Sequence, residues 1–183
     1  MRINSKNSYK LISPRIAVVI TTLNSTGEPN ACVVSFISPV SMSPPLLMLS
    51  LAPVRHTYKN IINTGEFVIN ILSKRYIDQL LRCAAKYQEG VNKIQQAGLH
   101  CYTSKLVSPP RIREASAWLE CRVIESKKMG DHIAIFGEVL EAEVRNGVIK
   151  NSEIDLQAIS PVLHISGTSF AVDFKIIKHK RYD

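Results

Sequence analysis

Three short segments carry side chains that a purely architectural strand or loop does not need. The first is Asn30-Ala31-Cys32-Val33-Val34-Ser35-Phe36-Ile37-Ser38-Pro39-Val40-Ser41. Asn30 and Ser35 are small hydrogen-bonding groups at the ends of an apolar run, and Ser38 and Ser41 flank a rigid Pro-Val turn. An extended loop with free N–H groups can contact a planar heterocycle edge-on; an ordinary strand with polar ends is the plainer alternative. The second is Arg55-His56-Thr57-Tyr58-Lys59-Asn60, directly after an apolar strand. A helix start presents unpaired N–H groups and a partial positive charge, which suit a phosphate. Without a ligand, the same residues read as a Thr57 cap beside solvated charges. The third is Gly130-Asp131-His132 at the head of a long strand, where a histidine can orient a ligand or simply face solvent.

Other chemistries find no support. The sequence has no G-x-S-x-G, no H-E-x-x-H, and glycines too scattered for a phosphate-cradling loop. Cys32, Cys83, Cys101 and Cys121 show no C-x-x-C spacing, and the first, second and fourth sit among apolar neighbours as buried thiols do. The five histidines show no H-x-H or H-x-x-x-H spacing, so no metal site is expected. An enzyme of this sequence would leave the hard chemistry to a cofactor and supply orientation and electrostatics.

The elements that must position these segments are mostly strands. Ile16 to Leu23 is a continuous β-branched run, as in a strand buried on both faces. The turn-rich Asn24–Pro29 reverses it into Asn30–Phe36. Prolines 39, 44 and 45 make 38–45 an extended connection, and Leu46–Leu51 is a strand. Thr57–Ile62 reads as a short helix closed by Gly65, and Glu66–Leu72 as strand. Ile77, Leu80, Leu81 and Ala84 fall at helical spacing, and Val91–Ala97 is a second short helix stopped by Gly98. Trp118–Ser126 alternates, with Glu120 on the polar side; Lys127–Asp131 is a charged loop; His132–Val144 is a long strand. Asn146-Gly147 is the strongest hairpin signal, and 161–172 supplies a last strand or two around Gly167. Consecutive strands without intervening helices argue antiparallel pairing, which most simply closes into a barrel.

Length and composition agree. The 183 residues suit a single domain, expected over 1–183 with a core of about 14–172, and 45% apolar with 21% charged residues excludes a disordered chain. No apolar run approaches the ~18 residues that cross a bilayer, and the N-terminus has no apolar signal region, so the cytoplasm is expected and a membrane is not. The net charge of +8 is concentrated in the two tails. Arg2, Lys6, Lys10 and Arg15 lie at one end, Lys175, Lys178, Lys180 and Arg181 at the other, and the body is nearly neutral. Solvated tails that aid solubility are the plain reading, and a nucleic-acid partner, which wants a basic face on a folded element, is disfavoured.

The order of several motifs resembles the flavin reductase-like family, the FMN-binding split barrels that include flavoredoxins. The matching residues include Thr21-Thr22-Leu23-Asn24 with Gly27 and Pro29-Asn30-Ala31, then Ser35-Phe36 with Pro39-Val40-Ser41 and Pro44-Pro45-Leu46. They continue through His56-Thr57 with Asn60-Ile61, Thr64-Gly65-Glu66-Phe67-Val68-Ile69-Asn70, Pro109-Pro110-Arg111-Ile112, Gly130-Asp131-His132 and Pro161-Val162-Leu163-His164. The resemblance implies a mainly β, antiparallel Greek-key split barrel with a small helical insertion, working as a homodimer with one FMN per subunit, FAD being a possible substitute. It implies that Asn30, Ser35 and Phe36 line the flavin and its ribityl chain, and that Val40 and Ser41 give backbone contacts to the ring. Ser50 and Ala52 would lie beneath it. His56 and Thr57, helped by Arg55 or Asn60, would take the phosphate, and His132 would stand near the nicotinamide. Relatives often have Tyr where this chain has Phe170. The implied activity is hydride transfer from NAD(P)H to the flavin, with free flavin, iron or a redox protein as electron acceptor. An FMN-binding electron carrier without a nicotinamide pocket is the alternative, and a nucleic-acid-binding barrel a third.

Overall fold

The computed structural model describes residues 1–88, 91–177 and 179. A 3-10 helix (Ser5–Ile12) leads into β1 (Arg15–Ile16) and β2 (Val18–Leu23), followed by β3 (Pro29–Val34), β4 (Ile37–Met42) and β5 (Pro45–Leu51). Helix α1 (His56–Thr64) and β6 (Glu66–Ile71) precede a 3-10 turn (Lys74–Tyr76), α2 (Ile77–Ala84) and α3 (Lys93–Gln96). Strands β7 (Cys101–Tyr102), β8 (Arg111–Ile112), β9 (Ala117–Met129) and β10 (His132–Val144) come next. The chain ends through β11 (Ile149–Lys150), β12 (Glu153–Ile154), α4 (Leu156–Ile159), β13 (Leu163–Ser166) and β14 (Ser169–Ala171).

The main sheet has seven antiparallel strands in the order β3-β2-β6-β9-β10-β5-β4. Its two edge strands, β3 and β4, are consecutive pieces of one extended segment. Val18 faces Val34 across the first hairpin, while Ile37 faces Leu49 across the second. The chain therefore leaves one edge of the sheet at Ser35-Phe36 and joins the other, and the Ser50 N–H donates to the Phe36 carbonyl at 2.8 Å to seal the crossing. The sheet curls into a barrel whose ends are joined by covalent chain, which is the split-barrel fold.

Two cores explain the sequence pattern of β2. Val18 and Ile20 point into the barrel with Cys32, Leu49, Phe67, Cys121 and Ile135. Val19 points out, into a second core with Ala31, Leu80, Cys83, Ile94, Trp118 and Val162. Helices α2 and α3 pack on β3 over that outer core. A strand covered on both faces needs apolar residues at both parities, each contributing roughly 1.5–3 kcal/mol on burial. At the bulge between Phe136 and Gly137 the barrel wall is so close-packed that a Cβ on Gly137 would stand 2.7 Å from the Phe67 ring.

Four local expectations are corrected. Arg55, not Thr57, is the N-cap of α1; Thr57 lies inside the first turn. The charged stretch 127–129 is strand, and the β9–β10 turn is only Gly130-Asp131, because Lys127 and Lys128 pair across to Ala134 and Ile133. Asn146-Gly147 forms a turn after β10 but joins no hairpin; the hairpin pairs β11 with β12 around Asn151 and Ser152, both with positive φ. Glu120 is not on a solvated face but wholly buried, paired with Arg111 beneath the long connection that precedes β9.

Candidate functional site

The crossing from β3 to β4 creates a crevice. Its walls are Cys32 to Phe36 on one side and Ser50, Leu51 and Ala52 on the other, with Arg55 at one end and His132 at the other; its volume is about 150 Å³. Strand geometry explains the convergence: Ser50 is the register partner of Ala134 on β10, so the C-terminal end of β5 lies beside the head of β10 and His132. The His132 ring stands 5.7 Å from the Phe36 ring at 30°, and its Nδ1 lies 2.8 Å from the Asp131 carboxylate. That hydrogen bond holds the Asp131 carboxyl below its ordinary range.

A larger apolar cavity of about 640 Å³ opens beside the crevice and shares Ser35, Phe36 and Ser50 with it. Val40, Met48 and Phe136 line it, and its only charged lining groups are the cations Arg15 and Lys127. Arg15 reaches the site from the N-terminal segment, so this tail cation is not merely solvated. Its Nη1 donates to the carbonyls of Tyr9 (2.8 Å) and Ile12 (3.1 Å), and its guanidinium lies 5.3 Å from the Phe36 ring centre.

The helix end at the crevice is built differently from those of α3 and α4; α2 also lacks a side-chain cap but carries Asp78 in its first turn. Asn92 caps α3 and Asp155 caps α4 through side-chain oxygens that accept backbone N–H bonds. Helix α1 has neither a side-chain cap nor an acid in its first turn, and Arg55 stands at its head. An uncapped, cation-flanked helix start is short of negative charge, and a phosphate supplies it. A flat heterocycle with a phosphate tail thus fits the residues present: ring-sized walls at Phe36 and Ser50, and an anion seat at Arg55.

The structure brings Ser35, Phe36, Ser50, Ala52, Arg55 and His132 together in the crevice, and puts Val40 in the adjoining cavity. Asn30, His56 and Asn60 instead line a narrow cleft on another flank of α1, with Tyr87 and Lys93. Asn30 Nδ2 donates to the Thr57 hydroxyl (3.0 Å), and Asn60 Nδ2 to the Thr22 hydroxyl (3.0 Å). With Thr57 and Asn60 both buried, these bonds fasten α1 to the first hairpin. Ser41 lines none of these cavities. Sequence reasoning missed Arg15, Tyr9, Met48, Phe136 and His164. No local signal marks them, because their nearness to Phe36 and Ser35 is made by strand pairing and, for Tyr9, by the N-terminal 3-10 helix packing against Phe36. The thiols are chemically quiet: burial pushes the buried Cys83 up to about 12 and the half-buried Cys101 up to about 11.

Fold and crevice together define a split-barrel protein of the flavin-binding kind. The chain belongs to the flavin reductase like domain family, whose pattern it matches over residues 12–171. Among relatives it is 30% identical over 176 residues to an uncharacterized protein of Aquifex aeolicus (strain VF5), covering 93% of this chain and 90% of that one. Among solved structures it resembles nitrilotriacetate monooxygenase component B from Bacillus cereus, with a TM-score of 0.88, 25% identity and 98% of each chain covered. The flavoredoxin of Desulfovibrio vulgaris (Miyazaki F) shares the fold at a TM-score of 0.84 and 20% identity, over 91% of this chain and 90% of that one. No helix among the described residues is long and apolar enough to cross a membrane.

Proposed function

We propose that the crevice binds FMN and that the protein is an NAD(P)H-dependent flavin oxidoreductase. The observation that carries this reading is the uncapped, acid-free start of α1 with Arg55 at its head, opening into the crevice between Ser35-Phe36 and Ser50-Ala52. Bound there, FMN supplies a ring nitrogen, N5, that accepts hydride from C4 of a nicotinamide. The protein's share is to bind and align. Arg55 and the first-turn N–H groups of α1 hold the phosphate, and His56 and Thr57 complete that turn. Phe36 and Ser50 bound the ring, and Ala52 leaves room beneath it. His132, fixed by Asp131, stands where it orients the nicotinamide amide, and the apolar cavity beside Phe36 has space for the second ring and keeps water off it. Such a transfer needs no nucleophile, and proximity supplies most of the acceleration a protein can give.

We read the protein as a homodimer, in which a second copy covers exposed apolar side chains such as Val40, Met42 and Met129. The test is the visible spectrum of freshly purified protein, followed by anaerobic addition of NADH or NADPH. A yellow protein bleached by either nucleotide supports the proposal. A yellow protein that neither bleaches is an electron carrier, and a colourless one that takes up no FMN refutes the cofactor assignment.

A further inference from the structure

His164 lies on β13, in a separate three-stranded sheet with β1 and β14, yet its side chain reaches the crevice wall. Its Nε2 lies 3.2 Å from the Gly167 carbonyl oxygen, and its Nδ1 lies 3.1 Å from Oγ of Ser35. A carbonyl oxygen only accepts, so Nε2 carries the ring hydrogen. In the neutral imidazole Nδ1 is then the bare nitrogen, and it accepts. With that tautomer of the neutral ring, the Ser35 hydroxyl gives its single proton to His164. The Phe170 ring, 5.4 Å away centre to centre, supports the imidazole from a further side. Ser35 lines both the crevice and the apolar cavity. With its proton committed elsewhere, it offers them lone pairs alone.

We propose that His164 is a positioning residue that locks Ser35 as a hydrogen-bond acceptor toward the crevice, so that the site favours a ligand presenting an N–H or O–H at that point. The inference rests on the flavin reading, in which the imide N–H of the ring and the ribityl hydroxyls are donors of the right kind. A bare ring nitrogen or a carbonyl oxygen brought to the same place would meet lone pair against lone pair. The lock thus fixes which edge of the ligand can face β3, without touching the ligand itself.

FMN titration of the full-length protein, followed by fluorescence, tests this. His164→Phe removes the acceptor and lets the Ser35 hydroxyl turn, so FMN affinity should fall roughly three- to tenfold, the size of one hydrogen bond. Ser35→Ala should lose about as much, and the double variant no more than Ser35→Ala alone, because both act through one bond. His164→Asn places its Oδ1 near the old Nδ1 position and should restore affinity; His164→Gln carries its amide one methylene further, toward Gly167, and should not. Losses that add, unchanged affinity in His164→Phe, or equal rescue by Gln each overturn the proposal. Imidazole nitrogen NMR reads the lock whether or not flavin is bound. A bare Nδ1 whose signal shifts in Ser35→Ala supports it, and a protonated Nδ1 overturns it. Wild-type protein with the expected NMR signature that takes up no FMN would refute the cofactor reading and leave the lock standing.

Discussion

The outer face of β9 and the crevice at the head of β10 both gather polar groups, and they treat them in opposite ways. Under β9, Glu120 is fully buried and every oxygen is used: Oε1 accepts from the Lys105 N–H (2.8 Å) and from Arg111 Nε (2.6 Å), and Oε2 accepts from the Leu106 N–H (2.6 Å). Arg111 Nη1 continues to Glu143 (2.7 Å), which Lys105 Nζ also contacts. Burial alone would raise the Glu120 carboxyl, but the two N–H donors and the guanidinium outweigh it and hold it below its ordinary range. The Glu120 carboxylate is fully satisfied, and only Arg111 Nη2 is buried without a hydrogen-bond partner among the cluster's groups. In the crevice, by contrast, the α1 start lacks a side-chain cap, Arg55 has no acid beside it in the first turn, and Ser35 lines the open space. Closed polar groups hold a fold together, whereas open ones at a concavity are the capacity to bind.

Breaking the closed region should give the largest effect. Glu120→Ala leaves the Arg111 charge buried with only the half-exposed Glu143 to pair it and should cost about 3–5 kcal/mol in urea unfolding. Replacing both partners by Leu and Met should cost much less, and a double variant as unstable as the single one would show that the pair contributes more than mutual compensation. The same substitutions should leave FMN affinity within about twofold wherever the protein stays folded, since distant sites are nearly independent.

The open region should answer the other way. Arg55→Glu puts a negative charge at the phosphate seat and should weaken FMN binding by about tenfold or more, with the urea midpoint nearly unchanged because the side chain is exposed. An unchanged FMN affinity would remove Arg55 from the site. His132→Ala should lower turnover with NAD(P)H several-fold, about the cost of a misaligned ring, while FMN stays bound; wild-type kinetics would remove His132.

The smallest effect is the pH dependence that the closed cluster contributes. Because the folded Glu120 carboxyl titrates below its unfolded value, its stabilisation is fully present above about pH 5 and is lost as pH falls through the depressed folded value. Glu120→Gln should flatten the acid limb of the stability profile, and an unaltered limb would assign that slope to other carboxylates.

Much of this was legible in the chain. The first hairpin, β5, the closing Gly65 of α1, the amphipathic α2 and the long β10 follow from local periodicity and turn residues, and these are the elements that carry Ser35, Phe36, Ser50 and His132. The burial of Glu120 is not legible because strand alternation tells which residues share a face, not whether that face meets water; the connection that covers it comes from residues 104–111. Thr57 is a cap by residue type, yet its hydroxyl accepts from Asn30 across the fold.

The sequence alone determined most of the main strands (though not β4 or the end of β9), their apolar faces and the order of motifs that mark the family, since these depend on neighbours a few positions apart. Only the tertiary structure decided that β3 and β4 close the barrel as one segment, that Arg15 lies against Phe36, and that His164 lies within hydrogen-bond reach of Ser35. Those contacts join residues up to 129 positions apart. They are set by register and by which elements cover one another, and no local periodicity encodes either.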